Sequence, residues 1–255
     1  MSILDQFKLT DKVAIVTGAA RGLGQGMALA LAEAGAHIVA VDIIDAADTK
    51  AQVEKIGRKC IFVTGDLSKG AAAAQAVVDA AVTGLGRVDI LVNNAGLIRR
   101  ADFLEFTEKD WNDVMKVNID AVFYLSQAAG RQMVKQGGDT RIINIASMLA
   151  FQGGIRVPSY AASKSAVAGL TRLMACELGP KGIRTNAIAP GYMATDNTAP
   201  LRADEARNQA ILDRIPLGRW GTPADLMGMV VFLASPASSY CNGFIYAVDG
   251  GWLAR

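Results

Sequence analysis

Short apolar runs, most of them rich in valine and isoleucine, recur along the chain, and most are followed by an alanine-rich run of helical composition. This alternation is the strongest constraint on the fold. A strand that is apolar at every position must be covered on both faces, which a parallel sheet between two layers of helices achieves. The expected strands are Val13–Thr17, His37–Asp42, Cys60–Asp66, Val88–Gly96 running into a loop, Arg141–Ser147, Ile183–Gly191 and Phe244–Gly251. Helices are expected over 27–35, 71–86, 111–138, 160–178 and 225–235, several of them stopped by glycine. No proline-rich linker or charge block divides the chain, so one domain over 1–255 is expected. The segment 193–219 interrupts the alternation. It is polar, holds Pro200 and Pro216, and carries the helical stretch 203–215. A long excursion of this kind is expected to be a substrate loop, the alternative being an ordinary surface helix pair.

Composition removes several function classes. At 51% apolar and 20% charged residues the chain is not a disordered tail. A net charge of +2 and the lack of a basic block argue against a nucleic-acid groove. Cys60, Cys176 and Cys241 are odd in number and widely spaced, so neither a disulfide framework nor a CxxC site is expected. The single histidine, His37, excludes a multi-histidine zinc site, and no carboxylates cluster, so no metal is expected. Asp5 and Lys8 break up the apolar residues near the N-terminus, and no apolar stretch approaches membrane-spanning length. The expectation is a cytoplasmic protein without a membrane partner.

The chemistry begins at VAIVTGAARGLGQG, where Gly18, Gly22 and Gly24 follow the first strand and open a helix. Glycines there let backbone approach a diphosphate, and free N–H groups at the helix start can hold its charge. Arg21 and Leu23 belong to the same turn. The spacing is GxxxGxG, neither GxGxxG nor a Walker A motif. Together with the alternating elements, this turn points to a single-domain Rossmann-like, doubly wound α/β sheet of about seven parallel strands. Asp42 ends the second strand, where a carboxylate can accept from both adenosine ribose hydroxyls and repel a 2′-phosphate. NAD is therefore expected over NADP. Arg21 is the dissenting residue, because a guanidinium can pair with that phosphate. Asp66 and Leu67 after the third strand, and Asn94, Ala95 and Gly96 after the fourth, are expected on the adenosine side of the cofactor.

Tyr160 and Lys164 are one helical turn apart in YAASK, so both side chains share a face. A cation beside the phenol would lower its pKa and make Tyr160 a proton donor or acceptor near neutrality. Ser147 ends the fifth strand and is expected to hold a carbonyl or alcohol oxygen. Asn118 sits inside a helix, where asparagine is a poor choice unless its side chain meets a partner. It is expected to hold the backbone open around a water leading from Lys164.

TGAARGLG, NNAG, Ser147 and YAASK together resemble the short-chain dehydrogenase/reductase family, from about Lys12 to Gly251. The resemblance implies that Asn118, Ser147, Tyr160 and Lys164 form a catalytic tetrad and that Lys164 also binds the nicotinamide ribose. It implies that Pro190 and Gly191 lie beside the nicotinamide and that Thr195 holds its carboxamide. A homotetramer is implied as well. The longer stretches 93–118, 144–165 and 188–198 resemble members that act on a sugar acid. Such a substrate needs a cation for its carboxylate and donors for its hydroxyls. Arg156 is the first choice, with a loop salt bridge as its alternative. Arg100, Gln152 and Tyr192 are further pocket candidates. Rival readings are a gluconate 5-dehydrogenase or 3-oxoacyl thioester reductase of the same fold, and a non-catalytic NAD(H) sensor or scaffold.

Overall fold

The computed structural model describes residues 2–255; position 1 of the expected domain lies outside them. Seven strands form one sheet: β1 (Val13–Thr17), β2 (His37–Asp42), β3 (Cys60–Thr64), β4 (Ile90–Asn93), β5 (Thr140–Ile145), β6 (Ile183–Pro190) and β7 (Ile245–Val248). Their order is β3-β2-β1-β4-β5-β6-β7, and every pairing is parallel. All C-terminal strand ends therefore lie along one edge. The order reverses between β1 and β4, and open sheets of this kind bind ligands in the crevice at that point.

The helices are α1 (Gly22–Glu33), α2 (Ala47–Lys55), α3 (Ala71–Leu85), α4 (Glu108–Met115), α5 (Ala121–Gln136), α6 (Pro158–Leu178), α7 (Ala199–Ala203), α8 (Glu205–Leu212) and α9 (Ala224–Ala234). Successive strand residues supply opposite faces, as the pleat demands. Ala14 and Val16 pack with α1 and α9, around Met27, Leu31, Val230 and Leu233. Val13 and Ile15 pack with α3 and α5, around Val77, Leu125 and Met133. The central strands β1, β4 and β5 are buried at every position because neither of their faces meets water, whereas the edge strands β3 and β7 are partly exposed.

Three elements differ from expectation. α2 has no clear sequence signal, since its nine residues include only two that are buried, Thr49 and Val53. The helix expected over 111–138 is α4 and α5 joined by a π turn at Lys116–Asp120. The stretch 203–215 is broken at Asp204, whose carboxylate accepts from the Arg207 backbone N–H and starts α8 afresh.

The excursion is fastened by a small apolar cluster of its own. Ile211 and Ile215 pack with Met148 from beyond β5 and Trp252 from the C-terminal end, with Tyr192, Leu201 and Trp220 against them. Among the described residues, no helix is long and apolar enough to cross a membrane.

Candidate active site

A cleft of about 1070 Å³ runs along the C-terminal edge of the sheet. That volume is at the top of the range for small-molecule sites and suits a dinucleotide with a second small ligand. Gly18, Arg21, Gly22, Leu23 and Gly24 line one end of it, and Asp42, Asp66, Leu67, Asn94, Ala95 and Gly96 continue the wall. Ser147, Tyr160, Lys164, Pro190, Gly191 and Thr195 line it further along, with Arg100, Gln152, Arg156 and Tyr192. Of the residues expected at the site, Asn118 alone stands behind the wall, fully buried.

The glycine turn fits an anion. α1 begins at Gly22 with no side chain capping it, so its first N–H groups face the cleft free of side-chain partners. Gly22 has φ +60°, and the space where a Cβ would stand is open. Gly24 has the opposite constraint: a Cβ there would stand 2.0 Å from the Gly18 carbonyl oxygen. The turn is braced from behind by Thr17, which sequence reasoning overlooked. Its hydroxyl accepts from Asn94 N at 3.0 Å and Ala95 N at 2.9 Å, while Asn94 Nδ2 donates to Thr17 O at 2.8 Å. Asn94 thus ties the β1 and β4 loops together.

Asp42 and Asp66 are engaged within their own loops. Asp42 accepts from Ala20 N at 3.0 Å through one oxygen and from Ile43 N at 2.7 Å through the other, which also reaches Ile44 N at 3.3 Å. Three amides therefore share the charge expected to select the ribose. Arg21 stands at the cleft mouth, 2.8 Å from Asp196. Asp66 caps the following turn through Ser68 N and Ser68 Oγ, and those bonds hold its carboxyl below the usual range.

Asn118 owes its position to the π turn, which reorients the helix locally. Its Oδ1 accepts from Leu97 N at 2.9 Å, and its Nδ2 donates to Leu97 O at 3.0 Å and Ser163 Oγ at 3.1 Å. The side chain pins the loop after Gly96. A Cβ at Gly96 would stand 3.3 Å from Asn118 Oδ1 and 3.7 Å from Lys164 Nζ, so the three are contiguous.

Ser147 Oγ accepts from Leu149 N at 3.2 Å, and both Ser147 and Tyr160 line the cleft. The expected lowering of the Tyr160 pKa by Lys164 is corrected here. Burial pushes the phenol up, and only the Ser147 hydroxyl and the Arg100 charge oppose it. Lys164 Nζ donates to Ile145 O at 2.7 Å and is 5.6 Å from the Tyr160 ring centroid. Burial itself holds the Lys164 ammonium down at about 8.

That depression has a consequence for stability. Between pH 8 and about 10 the unfolded chain binds a proton at this lysine that the folded chain has released. Folding stability should then rise with pH across that window, by up to about 3 kcal/mol. Urea unfolding of the cofactor-free protein at several pH values checks this against Lys164→Met, whose stability is expected to lack that rise. Parallel curves for the two proteins would contradict it.

At the far end, Arg156 adopts φ +62° and its guanidinium pairs with Asp102 at 3.1 Å, the loop salt bridge that stood as its alternative. Arg100 donates to Asn197 O at 3.1 Å and so reaches the excursion. Thr195 N donates to Thr198 Oγ1 at 3.1 Å, within the turn that opens the excursion. Tyr192 packs edge-on against Trp220 and Trp252. Arg207, Arg214 and Trp252, which sequence reasoning missed, also line the cleft. They arrive there through the apolar cluster under the excursion, a contact that spacing along the chain does not reveal.

A family model described as enoyl-(acyl carrier protein) reductase matches residues 18–253. The chain is 61% identical over 253 residues to 2-dehydro-3-deoxy-D-gluconate 5-dehydrogenase of Escherichia coli K12, covering 99% of this chain and 100% of the relative. A solved structure from Agrobacterium tumefaciens, provisionally assigned as a 2-deoxy-D-gluconate 3-dehydrogenase with bound NADP, is 50% identical. It superposes with a TM-score of 0.92 over 98% of this chain and 99% of its own. A gluconate 5-dehydrogenase from Burkholderia cenocepacia J2315, in complex with NADP and tartrate, is 38% identical with a TM-score of 0.95 over 100% of both chains. Both structures hold NADP, which corrects the NAD expected from Asp42. The carboxylate at that strand end is tied to loop amides, and it was given too much weight against Arg21. The full-length match, over a cleft that brings the tyrosine and lysine of α6 to the glycine turn after β1, shows that the chain belongs to the short-chain dehydrogenase/reductase family.

Proposed function

We propose that the chain is an NADP(H)-dependent oxidoreductase that interconverts 2-dehydro-3-deoxy-D-gluconate and 3-deoxy-D-glycero-2,5-hexodiulosonate at C5. The observation that carries the reading is the convergence of Ser147, Tyr160 and Lys164 in one cleft with the glycine turn and several arginines. NADP(H), when bound, takes up or supplies the hydride. The chain does the rest. The Ser147 hydroxyl holds the substrate oxygen beside the Tyr160 phenol. Tyr160, kept protonated by burial, gives its proton to that oxygen in reduction and recovers it in oxidation. Lys164 supplies a buried cation behind the phenol, and Asn118 fixes the loop that borders both.

Gly18, Gly22, Leu23 and Gly24 form the phosphate cradle. Arg21 is positioned to exchange Asp196 for the 2′-phosphate, since an exposed ion pair of this kind is weak. Asp66, Leu67, Asn94, Ala95 and Gly96 border the adenosine side, and Pro190, Gly191 and Thr195 the nicotinamide side. Residues 193–219 roof the substrate end, with Arg100, Gln152 and Tyr192 facing the sugar acid.

Absorbance at 340 nm with 2-dehydro-3-deoxy-D-gluconate tests the reading. NADPH should form faster than NADH at equal cofactor concentrations, and Arg21→Ala should reduce kcat/KM for NADP by about 10-fold or more with little change for NAD. Absence of turnover with either cofactor, in folded protein that binds NADPH, would overturn the substrate assignment. An unchanged NADP preference in Arg21→Ala would remove Arg21 from its role.

A further inference from the structure

We propose that Arg214 recognises the substrate's carboxylate, an inference that rests on the sugar-acid reading above. Five arginines line the cleft: Arg21, Arg100, Arg156, Arg207 and Arg214. Arg156 and Arg21 already face carboxylates, of Asp102 and Asp196. Arg100 donates to Asn197 O at 3.1 Å. Arg100, Arg207 and Arg214 have no carboxylate within 4.0 Å among the described residues, and of these three Arg214 is the one whose guanidinium is stacked on an aromatic face, 4.0 Å from the Trp252 ring centroid.

Stacking on an aromatic face leaves the edge of a guanidinium free, and that edge is the fork that matches a carboxylate. One N–H of the fork donates to a neutral acceptor, Gln152 Oε1, at 3.2 Å. This bond orients the group without cancelling its charge. It also turns the Gln152 amide so that its nitrogen is left over for a substrate hydroxyl. The platform is itself fixed. Trp252 is 5% exposed and is held edge-on by Tyr192, with ring centroids 4.7 Å apart. Its buried indole N–H has no acceptor among the described residues. A cation that is stacked, oriented and unneutralised, in the cleft that holds Ser147 and Tyr160, is suited to an anionic group at the end of a short hydroxylated chain.

The test compares wild type, Arg214→Gln and Arg214→Lys on 2-dehydro-3-deoxy-D-gluconate and on its uncharged methyl ester, with NADP in excess. Arg214 is exposed, so neither variant should disturb the fold, and circular dichroism with NADPH fluorescence checks this. For Arg214→Gln, KM for the acid should rise by about 10- to 100-fold with kcat little changed, and KM for the ester should rise several-fold at most, through the loosened Gln152 amide. Arg214→Lys should keep part of the acid preference, having the charge without the fork. Equal losses on acid and ester would show a structural role and overturn the proposal, as would an unaffected acid. An acid-specific loss in Arg156→Gln with none at Arg214 would do the same.

Calorimetric titration of the NADPH complex with D-gluconate separates the two readings. Binding that weakens in Arg214→Gln, in a protein that turns over no sugar acid, would sustain the carboxylate site and remove the reaction. Turnover by wild type with no Arg214 effect would sustain the reaction and remove the site. Neither binding nor turnover would remove both.

Discussion

Replacing Tyr160 with Phe is expected to lower turnover by about 10³- to 10⁴-fold in both directions while leaving NADPH affinity nearly unchanged. The substitution removes one oxygen and retains the ring, so packing against the cleft wall persists. What is lost is the phenolic proton beside the oxygen that Ser147 holds. Burial keeps that phenol above its ordinary pKa, so at neutral pH it carries its proton. Reduction can then begin from the state the protein already occupies. Oxidation needs the phenolate, and its rate should climb as pH rises while reduction falls. Single-turnover absorbance at 340 nm across pH measures both directions. Activity within tenfold of wild type in Tyr160→Phe would reassign the donor.

Gly24→Ala is the second change with a large expected effect. The added methyl would stand 2.0 Å from Gly18 O, 2.7 Å from Gly18 C and 2.6 Å from Asn94 Nδ2. Two of these neighbours are backbone atoms in the turn between β1 and α1, so no side-chain rotation relieves the clash. Either the turn opens or α1 moves off the sheet, and both spoil the cradle. Overpacking of this severity typically costs about 1–3 kcal/mol, occasionally more. NADPH binding should weaken by 100-fold or more, because the amides that face the diphosphate no longer converge. Fluorescence titration reads the affinity, and urea unfolding reads the stability. Wild-type affinity in this variant would mean that the diphosphate does not sit on this turn.

The sheet was legible because its strands are buried on both faces, which forces uninterrupted apolar runs such as VAIVT and HIVAVD. The glycine turn and the Tyr160–Lys164 pair were legible because their chemistry is local, written in spacings of two to four residues. What failed was non-local. α2 buries only Thr49 and Val53, so its periodicity is faint. Asp42 was assigned by position on the strand, but its oxygens were claimed by Ala20, Ile43 and Ile44, two of them neighbours whose amides no motif includes. Arg156 is the first choice from the sequence because it lies between Ser147 and Tyr160, and no spacing brings Arg214 to notice. In space Arg156 pairs with Asp102 at the surface, whereas Arg214 is carried over the cleft from a distant segment. Lys164 was assumed to govern the phenol because of helical spacing alone. Its ammonium turns to a strand carbonyl instead, and desolvation dominates both groups.

The apolar cluster formed by Met148, Ile211, Ile215 and Trp252 is separate from the two layers that sandwich the sheet. Cooperativity in a folded chain follows shared burial, so segments on different cores need not melt together. Detachment of residues 199–215 should therefore cost the contacts of this cluster and a few hydrogen bonds, such as those of Trp220 to Asn208 and Arg214 to Gln152, a fraction of the cost of global unfolding. The half of the cleft that recognises substrate is thermodynamically insulated from the half that cradles phosphate. Substitutions that retune the former have room to destabilise it without dissolving the scaffold that the latter requires.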